Sequence, residues 1–592
     1  MSSAVLPRPE YPRPQMVRDE WINLNGQWRF CFDFGNSGVD RKVESSPECF
    51  DREITVPFCP ESELSGIGYK DFMAAVYYRR EIEIPARWSG KRILIHFGAV
   101  DTIATVYIDG KSVTTHCGGM SGFTADVTDF VTPGRTHVLV VRAEDDLRSG
   151  NWGGGKQSHI YHSHRCYYTR VTGIWQTVWM EAVHPAGFRR CYITGNPADG
   201  SLAVSARFHA APPAGFRWRV AASLRGEAVG SAEGAAAEGA ALTVPLRRCE
   251  LWEPGNPVLY DLEFTLTDAA GATVDRFTGY TGLRTVEIRG NRFLLNGKPL
   301  FQRLVLDQGF YPDGIWTAPS DAALKRDIEL AMKAGFNGAR LHQKVFEDRF
   351  HYWADKLGYL TWSESSSWGL VYQHAEARYN FLREWIEIVD RLKDHPSILA
   401  WTPLNETARE GWNRARSEPR ELFHRWVRDL YDVTKQLDPT RPVNDCSGWC
   451  HAMTDLWTVH PYRPGAKEFR EAIAPADGGV MVTNPDFEVP YRGQPYIVDE
   501  FGGFKYTPGA ANDPAGWGYH GIELADGDAL CAKIREQVEV MLADDRVVGY
   551  CYTQLTDVEQ EQNGILLYDR TPKAPLEKFA EIFGRDPEDR TK

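Results

Sequence analysis

Two glutamates, Glu406 and Glu500, each stand where an apolar run of strand type gives way to polar residues. Glu406 closes Ile398-Leu399-Ala400-Trp401-Thr402-Pro403-Leu404-Asn405, and Glu500 closes Pro495-Tyr496-Ile497-Val498-Asp499. A carboxylate at the C-terminal mouth of a barrel strand is well placed for catalysis. Two that converge could divide the work of glycoside hydrolysis, one as acid and base, the other as nucleophile. Either alone is equally compatible with a helix cap or a surface group. Asn405 precedes Glu406, and its amide could donate to a sugar hydroxyl or simply close the strand against its own backbone. His460, Tyr462, Trp401, Trp457 and Tyr552 fall near other expected strand ends, where each is a candidate for the pocket or for the core.

For these side chains to meet, the chain must curl, and its pattern from Phe293 onward predicts that it does. Apolar strand candidates alternate there with amphipathic helices: a strand at Leu300 to Leu306, a helix from Ser320 to Ala334, a strand at Asn337 to Leu341, a helix at Phe346 to Leu357. Tyr359 to Ser363 reads as the third strand, Arg378 to Asp394 as a helix and Ile398 to Leu404 as the fourth strand. Later strands are expected near Pro442 to Asp445, Leu456 to His460, Tyr496 to Asp499 and Val547 to Tyr552. Such alternation suits a (β/α)8 TIM barrel over residues 289–592, with the reacting groups on its C-terminal face.

Before the barrel the pattern is short strands and turns. Val76 to Ile84, Arg92 to Phe97 and Ala104 to Ile108 are β-rich, and Asp109-Gly110 is a hairpin signal. Residues 1–182 are therefore expected to form a β-sandwich. Residues 183–288 read as a second, smaller sandwich with strands at Phe188 to Thr194, Leu202 to Phe208, Trp218 to Leu224 and Leu259 to Thr267. The Gly/Ala-rich stretch from Gly226 to Ala240 is expected to be an exposed loop within it.

Composition narrows the functions. At 592 residues the chain exceeds what one hydrophobic core can organise. A formal net charge of −13 argues against nucleic acid as a partner, because phosphate binding needs concentrated positive charge. No stretch reads as a signal peptide or a membrane span, so no membrane partner and a cytoplasmic location are expected. Eleven cysteines without dense spacing do not make a disulfide framework, and Cys446 and Cys450 lack the matching pair a zinc site needs. Core packing accounts for many of the 19 Trp, 25 Tyr and 28 Phe, but the faces of Trp and Tyr also suit the apolar faces of sugar rings, which leans toward carbohydrate.

The segments around the two glutamates carry a resemblance. Asp394-His395-Pro396-Ser397-Ile398 leading to Asn405-Glu406, and Ile497-Val498-Asp499-Glu500-Phe501-Gly502-Gly503, are similar to glycoside hydrolase family 2, as are Val76 to Arg80, Gly98 to Asp101 and Thr172 to Trp179. The family contains β-galactosidases, β-glucuronidases and β-mannosidases. The resemblance implies a jelly-roll sugar-binding domain, an immunoglobulin-like β-sandwich and a catalytic barrel, in that order. It implies Glu406 as general acid and base and Glu500 as nucleophile of a retaining double displacement. Tyr462 would orient the nucleophile, Glu364 would end the third strand as an acidic residue does in relatives, and Arg340 would hold the carboxylates nearby.

The departures bear on substrate. Arg340-Leu341-His342-Gln343-Lys344 replaces the usual Arg followed by Ser-His-Tyr-Pro, so His342 sits in a shifted position. Ser365-Ser366-Ser367-Trp368-Gly369 after Glu364 lacks the additional acid and histidine that help hold magnesium in large β-galactosidases, and no metal or cofactor is expected. The Asn-x-Lys pair that grips a substrate carboxylate in β-glucuronidases has no clear counterpart after Glu500, although Lys505 could answer one. Asp307 and Gln308 could discriminate hydroxyl configuration, and Trp368 and Trp457 could form stacking walls. A carbohydrate substrate is expected, with β-galactoside preferred and β-glucuronide or another β-uronide as the alternative. A carbohydrate-binding protein without catalysis is the rival class, and a homo-oligomer is left open.

Overall fold

The structure, a computed structural model, describes residues 6–407, 420–476, 478–509 and 515–587. Its first region is an antiparallel sandwich. A six-stranded sheet runs in the order Arg52–Val56, Gly26–Phe32, Ala75–Glu83, Thr136–Glu144, Ile103–Ile108, Lys111–Cys117. It packs on a four-stranded sheet ordered Trp21–Asn23, Val178–Val183, Arg92–Phe97, Phe123–Asp126. Between them lie Trp28, Trp88, Tyr78, Ile95 and Val106, all buried. Tyr77 points the opposite way, into a satellite cluster with Val43 and Phe50, so this central strand is apolar on both faces. The Asp109-Gly110 turn joins Ile108 to Lys111 with φ of 48° and 76°, the doubly left-handed geometry that Asp-Gly favours.

The second sandwich pairs a three-stranded sheet (Phe188–Asn196, Ser201–Phe208, Ala241–Pro245) with a four-stranded one (Glu227–Ala235, Arg217–Leu224, Tyr260–Thr267, Thr273–Thr281). Here the expectation of a loop at the Gly/Ala-rich stretch fails. Glu227–Ala235 is an edge strand paired antiparallel with Arg217–Leu224 along its length. Val229 anchors it in the core, and a Cβ at Gly230 would fall 2.2 Å from the Pro245 carbonyl oxygen. The glycine marks close sheet packing rather than a turn.

The third region contains a curled parallel sheet of seven strands, in the order Ile398–Thr402, Leu360–Glu364, Gly338–Leu341, Gln302–Asp307, Val547–Thr553, Tyr496–Gly502, Trp457–Thr458. The remaining position is filled by Cys446–Ser447, which pairs with Leu404–Asn405, and by a bridge from Val443 to Trp401. The result is the (β/α)8 barrel expected. The fifth strand is shorter and later than Pro442 to Asp445. Helices Asp321–Lys333, Asp348–Leu357, Ala375–Leu392, Arg420–Leu437, Ala466–Ile473, Gly527–Leu542 and Leu576–Phe583 wrap it. Ser320 caps the first through the Ala323 N–H, and Asp526 caps Gly527–Leu542 through Ala529. No helix among the described residues is long and apolar enough to cross a membrane.

Candidate active site

Alternation within the strands decides which side chains can meet. Leu304, Leu306, Leu360, Trp362, Leu456, Ile497 and Cys551 pack together inside the barrel. Val305, Ala339, Leu341, Trp457, Val498, Tyr550 and Tyr552 pack outward against the helices. Carried to the strand ends, the same period turns Gln308, Arg340, His342, Glu364, Thr458, His460 and Asp499 inward. It turns Asp307, Trp457 and Tyr552 out. In the seventh strand the register shifts between Val498 and Phe501, a bulge that allows the consecutive acids Asp499 and Glu500 both to serve the interior.

Arg340 organises the cluster. Its Nε donates to Glu364 at 2.7 Å, Nη1 to Glu500 Oε1 at 2.9 Å and the Asp499 carbonyl at 3.0 Å, and Nη2 to Asn405 Oδ1 at 2.6 Å and His342 Nδ1 at 2.8 Å. A planar fork with five donors is what such a hub requires. Glu500 also accepts from the Tyr462 hydroxyl at 2.7 Å, and Tyr462 stacks on Tyr519 with 3.8 Å between ring centres. Burial alone would raise the Glu500 pKa, but the His460 and Arg340 cations outweigh it and lower it to about 2. Burial raises Glu364 to about 7 despite its bond to Arg340.

Glu406 is held differently. Its φ of 45° lies in the left-handed region, a strained conformation for a side chain with a Cβ. The backbone is fixed there by the Glu406 N–H donating to the Ser447 carbonyl at 3.0 Å. His460 Nδ1 lies 2.6 Å from Glu406 Oε1 and 3.5 Å from Glu500 Oε2, while its Nε2 lies 3.2 Å from Asp499. Burial would lower the imidazole pKa, but Glu500 and Asp499 raise it to about 10, so the ring is a cation. Burial also raises Glu406 above the ordinary carboxylate range. The reactive atoms of Glu406, His460 and Glu500 all lie within 4.8 Å of one another. Among the described residues this is the one group of three such side chains gathered so closely, and Cys446 and Cys450 are buried thiols outside it, in no disulfide.

Of the other residues singled out in the sequence, Trp368 joins the site: its Nε1 donates to the Asn405 carbonyl at 3.1 Å. Gln308 reaches the rim through Gln554 at 2.9 Å. Burial lowers His342 well below its usual pKa, leaving a neutral ring whose Nδ1 accepts from Arg340. Asp307, Trp457, Tyr552 and Lys505 do not join. The Asp307 carboxyl accepts from the Gly309 N–H, and burial raises its pKa to about 6. Trp457 donates to the Met481 carbonyl and packs on Tyr491 and His451, so it is core and not a stacking wall. Tyr552 packs on Phe501 and Phe583. Lys505 pairs with Glu523 at 3.5 Å. Sequence reasoning missed Asp499, Ser447 and Thr553, which brace His460 and Tyr462. The signal for Asp499 was its place beside Glu500.

Two sandwiches ahead of a barrel, with paired carboxylates at the barrel mouth, are the build of a multidomain glycoside hydrolase. The chain belongs to glycoside hydrolase family 2: residues 22–180 match the family's sugar binding domain, 198–284 the model described as glycosyl hydrolases family 2, and 286–463 its TIM barrel domain. A β-glucuronidase of Paenibacillus borealis is 25% identical over 457 residues, 73% of this chain and 74% of that protein. A β-glucuronidase of Felis catus is 26% identical, over 73% of this chain and 69% of its own. A β-galactosidase of Thermoanaerobacter pseudethanolicus is 23% identical over 72% of this chain, which spans only 54% of that protein. In fold the chain is similar to the Ruminococcus gnavus β-glucuronidase solved with D-glucuronic acid, at TM-score 0.77 and 20% identity, covering 98% of this chain and 100% of the other.

Proposed function

We propose that this protein is a retaining exo-β-glycosidase that hydrolyses terminal β-D-glucuronides. The observation that carries the mechanism is the spacing: a carboxylate oxygen of Glu406 lies within 4.8 Å of one of Glu500. Retaining enzymes hold their carboxyl groups roughly 5 to 5.5 Å apart, whereas inverting enzymes leave room for a water. The sugar is supported by the β-glucuronidases among the relatives, and this reading replaces the β-galactoside preferred from the sequence.

Each acid has the ionisation its role demands. Glu500 is ionised and held by Arg340 and Tyr462, so one oxygen is aimed while its charge is kept. It attacks the anomeric carbon as Glu406 gives its proton to the departing glycosidic oxygen. His460 donates to Glu406 Oε1 and fixes the carboxyl group, which leaves Oε2 for the proton transfer. In the second half the Glu406 carboxylate takes a proton from water, water attacks the glycosyl ester, and Glu500 is released. Asn405 Nδ2 is buried without a protein partner among the described residues, so it is free to donate to a sugar hydroxyl beside the scissile bond.

The test has two parts. On p-nitrophenyl β-glucuronide, β-galacturonide, β-galactoside, β-glucoside and β-mannoside, kcat/KM should be highest for the glucuronide. A higher value for the galactoside would overturn the choice of sugar. Glu500→Ala should lose more than about 1000-fold in kcat and regain turnover with azide, releasing an α-glycosyl azide. Near-normal activity without azide would remove Glu500 from the nucleophile's role.

A further inference from the structure

The loop that leaves the first sandwich after Glu144 carries Gly153-Gly154-Gly155-Lys156 across the open end of the barrel. Its glycines are a packing requirement. A Cβ at Gly153 would lie 1.7 Å from the Ser366 carbonyl oxygen, and one at Gly155 would lie 2.3 Å from that of Gln343. Gly155 has a φ of 59° as well, a conformation glycine adopts without strain. The Gly154 and Gly155 N–H groups both point at the Trp368 carbonyl, at 2.8 and 3.2 Å. The sandwich backbone therefore rests directly on the segments that follow the second and third barrel strands. Gln157 ties the loop's other side down, donating to Asp101 at 3.0 Å and accepting from the Val171 N–H at 2.8 Å.

Lys156 is delivered by this arrangement to the catalytic end. It is only 3% exposed, and its ammonium lies 3.9 Å from the centre of the Trp368 ring. The same indole donates to the Asn405 carbonyl, one residue before Glu406. Among the described residues the ammonium makes no ion pair and no hydrogen bond; the indole face is its one contact of that kind. A cation–π contact returns only about 2 kcal/mol when desolvated, and it satisfies none of the three N–H donors of the ammonium. Burial acts to lower its pKa, but Cys166, Glu561, Glu500 and Glu406 face it and raise it, so it remains charged.

Arg340, His460, Lys344 and Lys505 at this end are already engaged. Arg340 spends its fork on Glu364, Glu500, Asn405 and His342. His460 is held by Glu406 and Asp499, Lys344 by the carbonyls of Gly309 and Trp316, and Lys505 by Glu523. Donor capacity for an incoming anion is therefore left at Lys156.

We propose that Lys156, supplied by the sugar-binding sandwich rather than by the barrel, binds the carboxylate of a uronic acid in the cleavage subsite. It is a specificity-determining residue, and the inference rests on the uronide reading above. It also accounts for the lack of a carboxylate-gripping pair after Glu500: the cation comes from another domain.

The experiment compares kcat/KM for p-nitrophenyl β-glucuronide and p-nitrophenyl β-glucoside in the full-length enzyme. Lys156→Met keeps the apolar stem against Trp368 and removes the charge. The glucuronide-to-glucoside ratio should fall about 100-fold, mainly through KM, because a charged hydrogen-bond partner is lost only for the acidic sugar. Lys156→Arg should recover part of that ratio and gives the same comparison if Lys156→Met does not fold. Equal losses on both sugars would overturn the inference and leave Lys156 as a counter-charge to the acids around it, with the uronide reading intact. A wild-type enzyme that turns over the glucoside but no uronide would overturn both.

Discussion

At the scale of single residues, the pair works because one environment splits two chemically identical side chains. Arg340 and His460 press Glu500 down to about 2, whereas burial holds Glu406 above the ordinary carboxylate range. The two shifts run in opposite directions, which favours a charged Glu500 beside a protonated Glu406, the state that the proposed first half-reaction needs. Raising the pH through the Glu406 value removes the acid, so kcat/KM for a poor leaving group should fall on the alkaline side. Lowering it removes the nucleophile as Glu500 protonates, well below the ordinary carboxylate range. Glu406→Gln should remove the Glu406 limb, leaving the loss that follows deprotonation of His460 near 10, and cost about 100- to 10,000-fold with a phenyl glycoside, with a smaller loss of glycosylation rate on a dinitrophenyl glycoside. Pre-steady-state rates on the two leaving groups check this, and equal losses would count against Glu406 as the acid.

At the scale of elements, the barrel and both sandwiches were legible because strand and helix periods differ and each leaves an apolar face. The Glu406 and Glu500 strand ends were legible for the same reason. The inward or outward direction of each residue was available too: Trp457 and Tyr552 share the helix-facing parity of their strands, and counting from Leu456 or Cys551 would have placed them in the core. What the period could not show was the bulge at Asp499-Glu500, since nothing local marks a register shift that partner strands impose. Nor could it show the contact of Gly153 with the barrel, which joins segments over 200 residues apart. Gly153→Ala should test that contact. A Cβ there meets backbone rather than a movable side chain, so the loop must shift at a cost of about 1 to 3 kcal/mol. The melting temperature should drop and KM for the glycoside substrate rise, because the loop also carries Lys156; wild-type values for both would mean that the loop rests less closely than 1.7 Å implies.

At the scale of the whole molecule, the three regions are joined by buried groups rather than by a linker. Trp252 of the second sandwich donates to the Asp355 carbonyl at 2.8 Å, and Arg284 donates to the carbonyls of Pro396 and Ile398 at the start of the fourth barrel strand. The first sandwich and the barrel share one apolar cluster, in which Ala99, Met120, Tyr168, Val171 and Trp175 pack with Phe310, Trp316, Trp385 and Trp401. Trp175 sits at the join, 5.1 Å from Trp316 edge to face, with its Nε1 on the Gly119 carbonyl and its own carbonyl on the Thr317 hydroxyl. A cluster that two domains complete together couples their unfolding, since neither can open without exposing the other's core. Trp175→Ala should therefore destabilise both at once, by about 3 to 5 kcal/mol as for other buried tryptophans. In calorimetry the transition that contains the barrel should move down with that of the sandwich. A barrel transition left at its wild-type temperature would show that the two melt independently. The same variant should lose glycosidase activity at temperatures well below its melting point, because the sandwich that Trp175 seats against the barrel is the one that holds Lys156 over Trp368.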